Sequence, residues 1–315
     1  MTDTQPGIGA AIDIGSNSIH LLVAEFSAER DFRVIQDESV LLGLGAVVDL
    51  DGRIPDDHIA SAVEHVNEYV AAAVDSGAEW VILLGTEPLR RASNRSHFAE
   101  AIEVATGRPL NVLSHEEEAG LTLVGVLGGA VPAEPTLVFD IGGGSSETVM
   151  LAPGADPVVG VLPVGSARLT ASHVEDDPPT PAEIAALRAE SLHLLSGLPA
   201  GHPTRGIVVG GSGTNLLRLT PDSDGGAVID RARAEAAMDV VAARPAAELV
   251  EAFGLRERRA AQMAAGISLI EAALDCYSLD AVEVSDASLR EGAILAAAMA
   301  GEEWRDRLDD LVAGA

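Results

Sequence analysis

The stretch LVFDIGGGSSETVM, residues Leu137–Met150, decides the fold. An apolar run leads into Asp140, three glycines and two serines follow, and a second apolar run begins after Glu147. The pattern predicts a strand, a tight glycine-rich turn and a returning strand. Glycines let a backbone approach an anion closely, and successive N–H groups in such a turn form a concave anion site. We therefore predict a phosphate-binding turn made by Gly142, Gly143, Gly144, Ser145 and Ser146.

Two acids flank this turn. Asp140 precedes the glycines and Glu147 follows the serines, so both carboxylates would lie at the rim of a phosphate-sized site. Acids and phosphate fit together there only if a divalent cation lies between them. We therefore predict that Asp140 and Glu147 hold Mg²⁺, with Mn²⁺ as a substitute. The alternative is an ordinary hairpin whose glycines serve only the turn, because short motifs often match by chance.

A second copy of the motif favours the phosphate site. Ala11–Ser18 reads AIDIGSNS and Phe139–Ser146 reads FDIGGGSS, with Asp-Ile-Gly in both. The copies lie too far apart for a solenoid repeat, so they predict a duplicated domain. Two facing copies would hold a phosphate chain from both sides. The first copy would contribute Gly15, Ser16, Asn17 and Ser18 to phosphate binding, and Asp13 as a third candidate metal ligand.

Composition limits the class of protein. The 315 residues, 47% of them apolar, suit two domains with a large core. No apolar run approaches the roughly 20 residues of a membrane span, and the opening MTDTQPGIGA has no basic leader, which predicts a cytoplasmic protein. The net charge of −29 argues against nucleic-acid or anionic-membrane partners. All 20 basic residues are arginine, which excludes a phosphate-binding Walker lysine. Cys276 is the one cysteine, so an internal disulfide is excluded.

Two further segments supply candidate phosphate contacts. Arg90 follows the predicted strand Trp80–Leu84, at the strand end where open α/β folds place ligands, and its planar fork could clamp a phosphate. For its neighbours Arg91 and Arg95 we predict a structural role, in salt bridges at the start of a solvent-exposed helix. The segment GIVVGGSGTN predicts a strand entering another glycine-rich turn. Its Gly211, Gly213 and Thr214 are a third candidate anion site, although such turns often serve packing alone.

The segment SHEEEAGL carries three consecutive glutamates. Ser114 and Glu117 have the spacing of a capping box, and acids are favourable in the first turn of a helix. That structural role accounts for Glu116 and Glu117. Glu118 lies one step further round, just before the helix that joins the two repeats, and could face the cleft between them.

The remaining pattern gives a domain division. Leu42 to Val48 is interpreted as a loop, and Asp56 to Ser76 as a helix. The break GGAVPAEP after residue 127 divides the chain into domains 1–130 and 131–315. A closing helix is predicted at about 300–315, and it could pack back on the first domain.

Taken together, these segments resemble the exopolyphosphatase / guanosine pentaphosphate phosphohydrolase (Ppx/GppA) family over essentially the whole chain. The resemblance rests on AIDIGSNSIHLLVAEF, GTEPLRRASN, LSHEEEAGL, FDIGGGSSETV, LPVGSARL and VSDASLREGAIL. It implies two α/β domains of the actin-like, ribonuclease H-like class with a cleft between them, Mg²⁺-dependent hydrolysis of a terminal phosphoanhydride, and a homodimer. Glu118 matches the catalytic glutamate of the family, Asp140 and Glu147 the metal-associated acids, and Arg90 the phosphate-binding arginine. Arg259 matches a basic residue lining the polyphosphate path.

The chain departs from the family pattern at a few positions. His115 stands where the family often has glycine, and Gly120 where it often has arginine. Longer members continue beyond the second domain, so this chain resembles the short form, and we expect short polyphosphates as its substrate. Guanosine pentaphosphate is the alternative substrate. A kinase or ATPase of the same superfamily, and a non-catalytic sensor of a phosphorylated alarmone, are the alternative functions.

Overall fold

The computed structural model describes residues 6–27, 32–128, 130, 132–221 and 226–313. The chain forms two compact units, one of Met1–Val131 together with Ala287–Ala315 and the other of Pro132–Asp286. The structure differs from the predicted division at the C-terminal side. The sequence predicted a second domain of 131–315, with only a helix at about 300–315 packing on the first domain. In the structure, the C-terminal segment belongs to the first unit from Ala287 onward.

Each unit is built on one mixed β-sheet. The strands, numbered in chain order, are β1 Gly7–Ile14, β2 Ser18–Phe26, β3 Phe32–Leu41, β4 Trp80–Gly85, β5 Leu110–Val112, β6 Thr136–Ile141, β7 Ser146–Leu151, β8 Val158–Leu162, β9 Arg205–Val209, β10 Val228–Asp230 and β11 Ala281–Ser285. The first sheet has the order β3-β2-β1-β4-β5 and the second the order β10-β11-β9-β6-β7-β8.

The two sheets share one topology. In each, three consecutive strands pair antiparallel, β1 to β3 or β6 to β8, and two parallel strands continue the sheet on the far side of β1 or β6. The second sheet has one further strand, β10, which pairs antiparallel with β11. Both glycine-rich turns therefore occupy the same position, between the first two strands of their sheet. The predicted duplication and the α/β fold class are confirmed.

The helices cover the faces of these sheets. They are α1 Leu44–Asp51, α2 Asp56–Asp75, α3 Glu87–Arg91, α4 Arg95–Thr106, α5 His115–Leu127, α6 Ser166–His173, α7 Pro181–Ser196, α8 Gly211–Leu219, α9 Arg231–Ala242, α10 Ala246–Phe253, α11 Glu257–Ala261, α12 Met263–Tyr277, α13 Leu289–Ala300 and α14 Leu308–Val312, with a 3₁₀ turn at Gly301–Glu303. None of the helices within the described ranges is long and apolar enough to cross a membrane.

A close helix contact explains why the C-terminal segment belongs to the first unit. Helices α5 and α13 cover the same face of the first sheet, together with Trp304 and α14. A Cβ added to Gly292 would lie 1.7 Å from the carbonyl oxygen of Leu121, and one added to Gly125 would lie 2.2 Å from that of Ser288. The two helices therefore pack backbone against backbone, which only glycine allows at these positions.

The second unit is organised around α12. Most residues of this helix are buried, and it packs against α7, α9 and α8. Its one buried acid, Glu271, accepts two 2.7 Å hydrogen bonds from Arg188 on α7. A buried carboxylate is tolerated when it is paired and hydrogen-bonded in this way.

The predicted loop at Leu42 to Val48 is wrong in part, because α1 begins at Leu44. Gly43 takes a left-handed conformation with φ 71° and turns the chain into the helix, where Leu44 and Val48 are buried. The glycines that favoured a loop in the sequence serve the entry to this helix instead. The predicted closing helix at about 300–315 also begins later than expected, since the 3₁₀ turn Gly301–Glu303 precedes α14.

Candidate functional site

The two predicted metal acids of the second unit face each other. β6 and β7 pair antiparallel with Asp140 directly opposite Glu147. Directly paired residues project from the same face of a sheet with their Cβ atoms about 4.5–5.5 Å apart, so two like charges there repel each other. Glu147 is almost fully buried. The two carboxylates therefore lie side by side on one face of the sheet, and their joint role as metal ligands stays a prediction.

The serines of the same turn are separated by the strand register. Ser146 lies opposite Ile141, whose side chain belongs to the hydrophobic core of the unit. Because side chains alternate along a strand, Ser146 projects to the face opposite that of Asp140 and Glu147. Its Oγ is buried and has no hydrogen-bond partner in the part of the chain that the structure describes. Ser145, also buried, ends the turn itself.

The start of α6 holds the carbonyl oxygens of this turn. The N–H of Ser166 donates to the Gly142 oxygen at 3.0 Å, and the N–H of Ala167 donates to the Gly143 oxygen at 3.0 Å. The approach is close, because a Cβ on Gly165 would lie 2.3 Å from the Gly142 oxygen. Two carbonyl dipoles, which would repel an anion, therefore face α6.

The turn of the first unit is held in the same way. The Ser16 oxygen accepts from the N–H of Gly45 at 2.8 Å, and the Asn17 oxygen accepts from the N–H groups of Leu42 and Gly43 at 3.0 Å each. These donors belong to the start of α1 and the residues just before it. Each turn is thus fastened by the helix that follows the third strand of its sheet.

The neighbours of Asp13 differ from those of Asp140. Asp13 on β1 lies opposite His20, where the second copy has a second acid. The turn itself closes with a 3.0 Å hydrogen bond from the Gly15 N–H to the Ser18 oxygen, and Ser18 is buried. The pair of opposed carboxylates therefore occurs in the second copy, and the first copy has a single aspartate at this position.

Ser16 contacts an acid that the sequence analysis missed. Its hydroxyl donates to Glu87 at 2.7 Å, and Glu87 is a buried carboxylate that also accepts from Arg91. Arg91 bridges further to Asp49 at 2.7 Å, so its assignment to a structural salt bridge agrees with the structure. The Ser16 hydroxyl therefore donates its one proton to Glu87 and does not have it available for a phosphate. The signal for Glu87 was its place in GTEPLRRASN, three residues before the predicted ligand arginine, Arg90.

Arg90 and Glu118, both predicted site residues, are in direct contact. They form an ion pair in which each side chain is 14% exposed. Arg90 also donates to the Leu113 oxygen at 3.2 Å and contacts Nδ1 of His115 at 3.1 Å. An arginine can only donate, so Nδ1 of His115 accepts and the imidazole is neutral. Burial lowers the pKa of His115, and the Arg90 cation lowers that pKa further.

The other two glutamates of this helix have structural surroundings. The Ser114–Glu117 capping box is present, with the Glu117 N–H donating to Ser114 Oγ at 3.1 Å. Arg305, in the C-terminal segment, donates to Glu117 at 2.8 Å, and this contact is the main cause of the lowered pKa of Glu117. Glu116 is exposed. Among the three acids, Glu118 alone pairs with Arg90.

The third glycine-rich turn lies beside Asp140. A Cβ on Gly210 would lie 3.4 Å from Asp140 Oδ1, and one on Gly211 would lie 2.7 Å from the guanidinium carbon of Arg259. Gly213 instead packs against Val208 and Val284, since a Cβ there would lie 3.1 Å and 3.2 Å from their side chains. The Thr214 hydroxyl donates within α8, to the Gly211 oxygen at 3.5 Å.

Arg259 is buried over this turn. Within the described residues its Nη1 is enclosed and has no hydrogen-bond partner. Burial lowers the pKa of Arg259, and repulsion from Arg256 lowers that pKa further. A buried charge without a partner is costly, so this guanidinium next to Gly211 is suited to an anion. The structure thus brings Gly211 and Arg259 together near Asp140, and gives Gly213 to packing.

The comparisons with known proteins agree with one another. A family model described as the Ppx/GppA phosphatase family matches residues 22–300. Exopolyphosphatase 1 of Mycobacterium tuberculosis H37Rv is 30% identical over 297 residues, which cover 90% of this chain and 86% of that protein. Exopolyphosphatase 1 of Mycobacterium leprae is 30% identical over 304 residues, covering 90% and 87%.

The fold has a solved relative as well. The crystal structure of the Aquifex aeolicus member of the Ppx/GppA protein family aligns with a TM-score of 0.80 and 27% identity, covering 92% of this chain and 97% of that one. This likeness confirms the actin-like fold class. The family model covers most of the chain, and the mycobacterial relatives align with nine-tenths of it. The chain therefore belongs to the Ppx/GppA phosphatase family.

Proposed function

We propose that this protein is an exopolyphosphatase, which hydrolyses the terminal phosphate of inorganic polyphosphate with Mg²⁺ and releases orthophosphate. Membership of the Ppx/GppA phosphatase family supports phosphoanhydride hydrolysis, and the mycobacterial relatives are named exopolyphosphatases. The observation that carries the proposal is the second-unit turn, whose carbonyls are bound by α6 and whose flanking strands set Asp140 opposite Glu147.

Phosphate binding is proposed for the N–H side of both turns. Carbonyls that face the helices leave the amide dipoles to meet an anion. Arg259 is proposed to neutralise a further phosphate next to Gly211, because its buried charge lacks a partner among the described residues. The proposed phosphate-binding residues are Gly15, Ser16, Asn17, Ser18, Arg90, Gly142, Gly143, Gly144, Ser145, Ser146, Gly211, Thr214 and Arg259, with Ser16 and Ser146 acting through their backbone.

Mg²⁺ fits the acids of the second unit. Asp140 and Glu147 offer carboxylate oxygens, the donors that hard divalent cations prefer, and their direct opposition calls for a compensating charge. We propose these two as the metal ligands, with Asp13 as the third candidate and Mn²⁺ as a substitute. The bound cation would neutralise charge on the phosphoryl oxygens.

Glu118 is proposed as the general base. Its carboxylate would orient a water molecule for in-line attack and accept the proton as the anhydride bond breaks. The contact with Arg90 fixes the direction of the carboxylate, and His115 and Leu113 fix Arg90. Arg90 stays the proposed phosphate-binding arginine. Its terminal nitrogens contact protein acceptors here, so phosphate binding requires it to exchange one of these contacts.

Guanosine pentaphosphate is the second candidate substrate, which the family description Ppx/GppA supports. It carries the same terminal phosphoanhydride, so the same residues would serve. Homodimer formation and a cytoplasmic location remain predictions from the family resemblance and from the sequence.

Substrate identity is tested by measuring phosphate release from tripolyphosphate, long-chain polyphosphate, guanosine pentaphosphate and ATP side by side with Mg²⁺. We expect a higher kcat/KM with polyphosphate than with the nucleotides, because only phosphate groups have a proposed contact. Among polyphosphates, we expect the highest kcat/KM with the short chains predicted from the sequence. A higher kcat/KM with guanosine pentaphosphate would contradict the exopolyphosphatase assignment and favour the second candidate.

The general base is tested with Glu118→Gln. We expect kcat to fall by about 10²–10⁴, the usual contribution of a positioned base, with KM unchanged or lower. KM should not rise, because removing the carboxylate releases Arg90 and removes a negative charge near a polyanion. The control is Glu116→Gln, exposed on the same first turn. Wild-type turnover in a folded Glu118→Gln protein would remove Glu118 from the mechanism.

The metal site is tested with Asp140→Asn and Glu147→Gln, which keep size and remove charge. Each should raise the Mg²⁺ concentration for half-maximal activity by at least about tenfold, because even outer-shell changes weaken metal sites by 10–100-fold. Mn²⁺ binding measured by electron paramagnetic resonance should weaken in parallel. Asp156→Asn, an exposed aspartate of the same unit, is the control. Equal metal dependence in all three variants would return the two acids to a structural role.

A further inference from the structure

The side chain of Arg168 contacts the glycine-rich turn of the second unit. It lies in the first turn of α6, and its Nη1 donates to two carbonyl oxygens, that of Gly144 at 3.0 Å and that of Pro163 at 2.7 Å. Its own backbone N–H donates to the Gly143 oxygen at 3.3 Å. The arginine therefore bridges the glycine-rich turn and the segment that enters α6.

These contacts complete the fastening of the turn. Gly142 is held by Ser166 and Gly143 by Ala167 through backbone N–H groups, whereas the third carbonyl, that of Gly144, is held by a side chain. Three consecutive peptide groups thus point their oxygens at one helix. In the first copy the equivalent carbonyl is that of Asn17, and the backbone N–H groups of Leu42 and Gly43 donate to it, so only in the second copy does an arginine side chain make this third bond.

The consequence for the amide groups follows from peptide geometry. In a trans peptide the N–H points away from the carbonyl oxygen of the preceding residue. Holding the oxygens of Gly142, Gly143 and Gly144 therefore turns the N–H groups of Gly143, Gly144 and Ser145 to the side opposite α6. Within the described residues, the N–H groups of Gly143 and Gly144 donate to no protein acceptor.

The third peptide needs this restraint more than the others. Glycine has the widest backbone freedom, and three glycines in succession give a turn whose peptide groups can rotate. Rotation of the Gly144–Ser145 peptide would turn its carbonyl oxygen toward the anion in place of an N–H. A guanidinium in contact with the Gly144 oxygen opposes that rotation, because a hydrogen bond from a charged donor is stronger than one between neutral groups.

We infer that Arg168 is a positioning residue, which holds the Gly144 carbonyl so that the amides of the turn face the phosphate. The inference rests on the proposed phosphate-binding function of this turn. It is distinct from a direct cation–phosphate contact, since the nitrogen that reaches the turn is bound to two carbonyls. The only earlier sign of it was its place in the segment LPVGSARL.

The test compares Arg168→Met and Arg168→Lys with Arg188→Met, which removes the structural ion pair of α7. Tripolyphosphate binding is measured by calorimetry, independently of hydrolysis, and the amide resonances of Gly143 and Gly144 are followed by NMR. We expect Arg168→Met to weaken tripolyphosphate binding and raise KM by about 10–100-fold, the range for losing a hydrogen bond to a charged group. Its kcat should change less than its KM. Arg168→Lys, whose ammonium lacks the planar fork, should lie between.

In the wild-type protein both glycine amides should shift on adding tripolyphosphate, and this response should be lost in Arg168→Met and kept in Arg188→Met. Equal affinities for Arg168→Met and wild type, or equal losses for Arg168→Met and Arg188→Met, would overturn the inference. If Arg168→Met does not fold, two other results would overturn the inference. One is that the Gly143 and Gly144 amides of the wild type do not shift when tripolyphosphate is added. The other is that Arg168→Lys binds tripolyphosphate with wild-type affinity although these two amides do not shift. Tripolyphosphate binding that depends on Arg168 without any hydrolysis would contradict the proposed function and leave the inference standing.

Discussion

A peptide group that offers its N–H to an anion must point its oxygen the opposite way, and hydrogen bonds to that oxygen hold the peptide in this orientation. That constraint shapes both units of this protein. In each, the helix after the third strand donates backbone N–H groups to the carbonyls of a glycine-rich turn, through α1 in the first unit and α6 in the second. The duplicated sheet order places turn and helix start together in both. The proposed anion site therefore depends on the topology as much as on the glycines.

The charge of the chain bears on the proposed substrate. With a net charge of −29 and no lysine, the protein could bind a polyanion only through local features that overcome a repulsive field. Backbone amides, the proposed metal at Asp140 and Glu147, and a buried guanidinium would be such features. Nη1 of Arg259 lies beside one glycine-rich turn with no hydrogen-bond partner among the described residues, whereas Arg90 is paired with Glu118. We propose different roles for these arginines because their surroundings differ, although the sequence shows only their type.

Much of the fold and of the candidate site could be predicted from the sequence. The hairpin around Asp140, its repeat and the Ser114 capping box are local patterns, and local patterns carry over to structure. The contact of Gly125 with α13 could not be predicted, because it joins segments far apart in the chain. The same is true of the Arg90–Glu118 pair. Helix α1 was missed because Gly43 and Gly45 are typical of loops, whereas here one turns the chain and the other approaches Ser16 closely.

The most direct measurement is a crystal structure of the Glu118→Gln protein with tripolyphosphate and Mg²⁺. A slow variant would keep the substrate intact while leaving the turns unchanged. The account predicts a phosphate oxygen within hydrogen-bond distance, about 2.7–3.2 Å, of the amide nitrogens of Gly143 and Gly144, with the carbonyls of the turn still bound to α6. A phosphate bound elsewhere, or a turn whose carbonyls face the phosphate, would contradict it.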